Sequence, residues 1–270
     1  MKIILTGPNG NLGTQLKKLG AFDICSVGRN DWDKLELNSF DDFHGIIHSA
    51  YDLKNQLHQS PSSIIDSNIA STAKILEVAR AKKIKKFYFI SSCAVYGNSS
   101  SSFENQDCYP VSFNGYVKLI NEKLVQNFCS QNGIEYYIFR VFNSYGGDDH
   151  FSVISRLHQA VTQKSSFTLF NAGISRRDFI HISDVAKIVS TLVHSKLNHN
   201  IINIGTGQTA QLSELVKIVS SRFIDLKIIH KTGNEAEYSR ANTDLLFQYY
   251  KSEMMNVLDY VSTNHFNELS

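Results

Sequence analysis

The sequence predicts an α/β protein: a doubly wound parallel sheet with a smaller α/β lobe towards the C-terminus. Two observations and a general rule of chain topology predict it. Short apolar runs alternate with amphipathic stretches through the first two thirds of the chain. A glycine-rich turn, Gly7, Gly10 and Gly13, joins the first apolar run to the first amphipathic one. Strands that alternate with helices are joined by right-handed crossovers, so the sheet is parallel and its ligands sit beyond the carboxyl ends of the strands.

Each element has its own signal. "KIILTG" is a short apolar strand ending in a turn. In "NLGTQLKKLG", Leu12, Leu16 and Leu19 fall at helical spacing and Gly20 can end the helix. "FDICSVG" and "GIIHSAY" are the second and third strands. Ile65, Ile69, Thr72, Ile75, Leu76 and Ala79 share one face, which predicts a long helix over 62–83. "KKFYFISS" is the fourth strand, and the polar run from Asn98 to Phe103 reads as a surface loop. A helix is expected over 114–132, ended by Gly133, and "IEYYIFRVFNSYGG" is a strand leading into a loop.

Composition narrows the function. With 270 residues, 42% hydrophobic and 19% charged, the chain is globular and long enough for a sizeable core. A net charge of +2 gives no electrostatic footprint for nucleic acid. No apolar run approaches the roughly 18 residues of a membrane span, and the first one is too short for a signal peptide. A cytoplasmic protein is therefore expected. Cys25, Cys93, Cys108 and Cys129 form no C-x-x-C pair, and neither H-E-x-x-H nor G-x-S-x-G occurs. No metal site or hydrolase elbow is expected.

"TGPNGNLG" carries the first chemistry. Gly7 permits a tight turn, Gly10 lets a pyrophosphate approach the backbone, and Gly13 lets the helix pack on the sheet. The helix N-terminus offers free N–H groups to phosphates. A dinucleotide is the expected ligand. An acid at the end of the second strand would select NAD, but Gly28 stands there and Arg29 follows. Arginine suits the 2′-phosphate of NADP, so NADP is favoured without excluding NAD. Glu36 and Leu37 are candidates for the adenine.

The motifs in order resemble the extended short-chain dehydrogenase/reductase family, the nucleotide-sugar epimerases, dehydratases and 4-ketoreductases. "TGPNGNLG", "IIHSAY", "SNIASTAKILEVARAKKIKKFYFISSCAVYG", "FRVFNSYGG", "SRRDFIHISDVA" and "IINIGTGQTAQLSELV" each resemble a family segment, over nearly the whole chain. The resemblance implies a Rossmann-type dinucleotide domain of residues 1–142 with a returning segment at about 178–206. The substrate lobe would comprise 143–177 and 207–270. It implies cofactor contacts at Gly7, Asn9, Gly10, Asn11, Leu12, Gly13, Ala50, Asn68 and Lys118. Ser92 corresponds to the family's Ser/Thr, Asn143 and Arg177 to its sugar-nucleotide contacts, and Lys231 loosely to a second basic contact. A nucleoside-diphosphate sugar is the implied substrate. A homodimer through the two long helices is a further implication.

One position departs from the family. Its tyrosine lies four residues before the lysine, and here Asn114 stands four before Lys118. An amide does not ionise near neutral pH, so Asn114 is no ordinary acid or base. Tyr116, two residues before Lys118, should point the other way on a helix of 3.6 residues per turn. Ser92 could polarise a carbonyl, and Lys118 or a water held by Asn114 could supply the proton. The implied activity is 4-keto sugar-nucleotide reduction or epimerisation. The alternatives are a non-catalytic binding subunit, or an introduced Tyr-to-Asn change in an ordinary family enzyme.

Overall fold

The computed structural model describes residues 1–28, 31, 43–52, 60–233 and 236–263. In chain order the elements begin β1 (Lys2–Thr6), α1 (Asn11–Leu19), β2 (Asp23–Val27), β3 (Gly45–His48), α2 (61–81) and β4 (Lys86–Ser92). Next come β5 (Ser99–Ser102), α3 (Phe113–Gln131), β6 (Glu135–Val141), β7 (Asn143–Tyr145), α4 (Val153–Thr162) and β8 (Ser166–Phe170). Then follow β9 (Arg176–Arg177), β10 (Phe179–His181), α5 (Ile182–His194), β11 (Ile201–Ile204) and β12 (Ala210–Gln211). The last are α6 (Leu212–Arg222), β13 (Lys227–Lys231), β14 (Tyr238–Ala241) and α7 (Val257–Ser262).

Six strands form the main sheet in the order β11-β6-β4-β3-β1-β2, every pair parallel. Period-two burial sorts its side chains onto two faces. Ile3, Leu5, Ile47, Tyr88 and Phe139 join one core with α1 and α5. Ile4, Ile46, Phe87, Phe89 and Ile138 join the other with α2 and α3. Both faces are thus covered, which is why these strands read as continuous apolar runs. A separate core gathers Tyr145, Leu157, Leu169, Phe179, Leu215 and Val261 between α4, α6 and α7.

Two local expectations are revised. The face expected for α2 holds at Thr72, Ile75, Leu76 and Ala79, but Ile65 is 46% exposed. Residues Ile65–Ala70 form a π-helical turn. Its extra residue rotates the upstream positions, so Ile64 and Asn68 face inward instead. The serine run read as a loop is also regular: β5 pairs in parallel with β14, at the edge of a small sheet ordered β12-β9-β14-β5.

Candidate active site

The order of the main sheet reverses around β1. The chain steps from β1 to β2 on one side and returns to β3 on the other. Ligands of doubly wound sheets bind outside the strand ends at such a reversal. A cleft of about 610 Å³ opens there, reached by Gly10–Leu12, Tyr51, Ser92, Asn114, Lys118 and Arg177 among others.

The glycine turn is built as its sequence requires. Gly7 has φ +70°, and a Cβ on it would lie 2.8 Å from the backbone N and Cα of Ala50. A Cβ on Gly13 would lie 2.3 Å from the Gly7 carbonyl oxygen. Any side chain at either position would push the turn away from β3 or off α1. The N-terminus of α1 has no side-chain cap and no acid in its first turn. Its open N–H groups and partial positive charge therefore fit a dinucleotide pyrophosphate. Asn11 ties this turn to the loop after β7: Nδ2 donates to the Gly146 carbonyl at 2.8 Å, and Oδ1 accepts from the Asp148 N–H at 3.1 Å. Asn9 is exposed and is not among the residues lining the cleft.

Other expected cofactor positions fall differently. Arg29, Glu36 and Leu37 lie outside the described residues. At the end of β2 the Asp31 carboxylate accepts the Gly28 N–H at 3.1 Å. A Cβ on Gly28 would sit 2.9 Å from that same oxygen. Asn68 is buried beneath the loop after β3 and does not line the cleft. Its Oδ1 accepts the Asp52 N–H at 2.7 Å, and its Nδ2 donates to the Ile64 carbonyl at 3.3 Å. Ala50 anchors the same loop by donating its N–H to Thr6 Oγ1 at 3.2 Å.

The end of β4 divides two neighbouring serines between core and cleft. Ser91 Oγ donates to Glu122, which also holds Arg140 at 2.7 Å in a buried ion pair. Ser92 faces the cleft, and its Oγ accepts the Ala94 N–H at 3.2 Å. Gly115 lets α3 dock here, since a Cβ would come 2.3 Å from the Ala94 carbonyl oxygen. Asn114 and Lys118 then face the cleft one helical turn apart. Tyr116 is 53% exposed and points away, as its spacing predicts.

Lys118 is 7% exposed. Its Nζ donates to the Ile90 carbonyl at 2.9 Å and lies 4.0 Å from the centre of the Tyr51 ring. Burial pushes its pKa down to about 7, partly offset by the Glu122 carboxylate. Behind it, His48 bridges Thr6 Oγ1 at 2.7 Å and Thr72 Oγ1 at 3.0 Å. Burial and the Lys118 charge push the His48 imidazole down to about 3, so it is neutral at working pH.

On the far wall, Asn143 Nδ2 donates to the Asp178 carbonyl at 2.8 Å and to Ser239 Oγ at 3.2 Å. Arg177 Nη1 donates to the Ala236 carbonyl at 2.6 Å. The neighbouring Asp178 carboxylate accepts from Thr206 N–H, Thr206 Oγ1, Gly207 N–H and Ala241 N–H, pinning the backbone around it. Cys93 accepts from Ser239 Oγ at 3.5 Å, and burial raises its pKa, keeping it a thiol. Lys231 is exposed on β13 and does not line the cleft. Sequence reasoning missed Tyr51 and Ser239, which line the cleft. Tyr51 had a usable signal, because it follows closely on the carboxyl end of a parallel strand.

A glycine cradle at the sheet reversal, with a serine, a lysine and an arginine converging on one cleft, defines an extended short-chain dehydrogenase/reductase. The chain belongs to the NAD dependent epimerase/dehydratase family, whose model matches residues 6–205. A candidate UDP-glucose 4-epimerase of Methanocaldococcus jannaschii is 30% identical over 258 residues, covering 92% of this chain and 79% of that protein. GDP-mannose 3,5-epimerase 1 of Oryza sativa subsp. japonica is 25% identical over 292 residues, covering 92% and 76%. Among solved structures, the Thermus thermophilus UDP-glucose 4-epimerase complex with NAD superposes with a TM-score of 0.85 at 18% identity, covering 100% of both chains. An NAD-dependent NDP-hexosamine 5,6-dehydratase involved in tunicamycin biosynthesis superposes with a TM-score of 0.84 at 21% identity, covering 99% of this chain and 97% of that one. These structural likenesses confirm the doubly wound fold. The family makes the protein an NAD(P)-dependent enzyme. No helix among the described residues is long and apolar enough to cross a membrane.

Proposed function

We propose that this enzyme interconverts a hydroxyl and a keto group on a nucleoside-diphosphate sugar, and that reduction of the ketone is its favoured direction. The observation that carries this reading is the convergence of Ser92, Asn114 and the buried Lys118 on one cleft beyond the strand ends, where burial pushes the lysine amine down to about 7. An acid poised near neutral pH can give a proton to a carbonyl oxygen or take one back. A nicotinamide dinucleotide, bound over the α1 N-terminus, supplies or accepts the hydride. Ser92 Oγ faces the cleft, where it can donate to the substrate oxygen. Arg177 suits the diphosphate, because a guanidinium matches phosphate oxygens in charge and geometry. Asn143 supports the sugar-nucleotide side, its amide set by two hydrogen bonds.

Asp31 argues for NAD over the NADP favoured by Arg29. A carboxylate at the end of β2 suits ribose hydroxyls and repels a 2′-phosphate. A homodimer is supported by an exposed apolar stripe on α3: Phe113, Tyr116 and Ile120 are each about half exposed.

The test is calorimetric titration with NADH, NADPH, UDP, GDP, dTDP and CDP, followed by turnover of the 4-keto sugar of whichever nucleotide binds. Dinucleotide and nucleotide binding with ketone reduction is the expected result. Binding of both with no hydride transfer to any sugar would replace this reading with a binding subunit.

A further inference from the structure

Lys118 is buried among neutral groups. Its Nζ donates to the Ile90 carbonyl at 2.9 Å and faces the rings of Tyr51 and Phe89, whose centres lie 4.0 and 5.2 Å away. Burial of this kind disfavours the ammonium form. Among the described residues, the carboxylate that opposes this effect is Glu122, one helical turn further along α3 and 0% exposed. It is firmly held. Glu122 Oε1 accepts from Ser91 Oγ and, at 3.0 Å, from Arg140 Nε, while Oε2 accepts from Arg140 Nη2 at 2.7 Å. Ser91 and Arg140 lie side by side on β4 and β6. Ser91 also follows Ile90, whose carbonyl holds the lysine. The acid and the base of α3 are thus fastened to consecutive residues of one strand.

We propose that Glu122 is the counter-charge of the cleft: a positioning residue that acts through Lys118 and keeps it an ammonium where it faces the substrate. A carboxylate four residues along a helix favours the charged form of a lysine. The donors from Ser91 and Arg140 occupy its oxygens, so Glu122 supplies charge without claiming the lysine N–H groups that the cleft needs. A buried ion pair adds little stability over apolar side chains of the same size, which leaves room for an electrostatic role. The other groups facing the pair do not supply the charge. His48 of β3 is neutral. Arg140 lies over the Tyr96 ring at 4.7 Å and donates to the Glu104 carbonyl at 3.3 Å, and its own charge would disfavour an ammonium. The effect on turnover rests on the reaction class proposed above, and the charge pairing does not.

Two measurements test this. The first needs no turnover. The lysines are isotope-labelled at Cε, the Lys118 signal is assigned by its loss in Lys118→Met, and its titration is followed by NMR in the protein without ligands. Glu122→Gln keeps the length of the side chain and removes its charge. Lys118 should then titrate about one unit lower. A merely structural loss would let water reach the amine and move the titration the other way, towards the ordinary lysine value of about 10.4. No shift, or an upward one, overturns the proposal. Should Glu122→Gln not fold, Glu122→Met with Arg140→Leu removes both charges, leaves neither unpaired, and should shift Lys118 in the same downward direction. The second measurement is kinetic. At about pH 8, Glu122→Gln should lower kcat for ketone reduction about 10-fold, the fall in ammonium that one unit brings, with KM unchanged and full recovery by about pH 5. In the Lys118→Met background the same change should cost nothing further. A loss that persists in acid, or that adds to the loss in Lys118→Met, overturns the proposal. If the wild-type chain reduces no keto sugar, the reaction class fails, and the titration alone decides the pairing.

Discussion

At the scale of single residues, the site turns on where protons reside. Lys118 is an ammonium below about pH 7 and an amine above it. Ketone reduction consumes a proton, so its kcat/KM should fall as pH rises through about 7, while alcohol oxidation should rise over the same window. Lys118→Met should cost about 10²–10⁴-fold and flatten that limb in both directions, which pH–rate profiles would show. Arg177→Ala should weaken nucleoside-diphosphate binding about 10–100-fold, the worth of a charged hydrogen bond, and leave dinucleotide binding intact. Calorimetry separates the two ligands. Ser92, Asn114, Lys118 and Arg177 were legible in the sequence because motif spacing fixes their elements, and the cleft brings them together. Asp31 was not, because its carboxylate reaches the end of β2 by folding back three residues. Nor was the placement of Lys231, whose alignment had no motif to hold it.

At the scale of elements, close backbone approach sets the site. Gly115 brings α3 against the Ala94 carbonyl, so a methyl group there must push the helix back. Gly115→Ala should destabilise the protein by about 1–3 kcal/mol and move Lys118 away from Ile90. Urea unfolding gives the first effect, and a loss of turnover larger than the loss of folded protein gives the second. Continuous apolar runs made β1, β3, β4 and β6 readable, since both faces of the sheet are covered. The π-helical turn of α2 was not readable, because the sequence "IDSNIA" carries no mark of the extra residue. The serine strand β5 was hidden for a different reason. It is polar and lies at a sheet edge, so it lacks the apolar period from which strands are recognised.

At the scale of the whole molecule, the buried His48 links stability to acid. Its pKa falls from the ordinary 6.5 to about 3 on folding. Between those values the unfolded chain binds a proton that the folded one refuses, so the stability present above about pH 6.5 is lost as pH falls towards 3. The full shift corresponds to on the order of 5 kcal/mol. Urea midpoints at about pH 7 and pH 4 should show the loss, and His48→Asn should lessen it. If α3 pairs two copies, Tyr116→Lys with Ile120→Lys should yield monomers in sedimentation while NADH still binds. The small sheet has a consequence of another kind. It joins Ser99–Ser102, Arg176–Arg177, Ala210–Gln211 and Tyr238–Ala241, four segments spread over much of the chain. Chains leave the ribosome N-terminus first at about 5–20 residues per second, and contacts between distant segments form slowly. Synthesis therefore delivers the glycine cradle and Lys118 well before β14, which carries Ser239 to the cleft. A nascent chain has the means to grip a dinucleotide for several seconds before it has a closed place to use it.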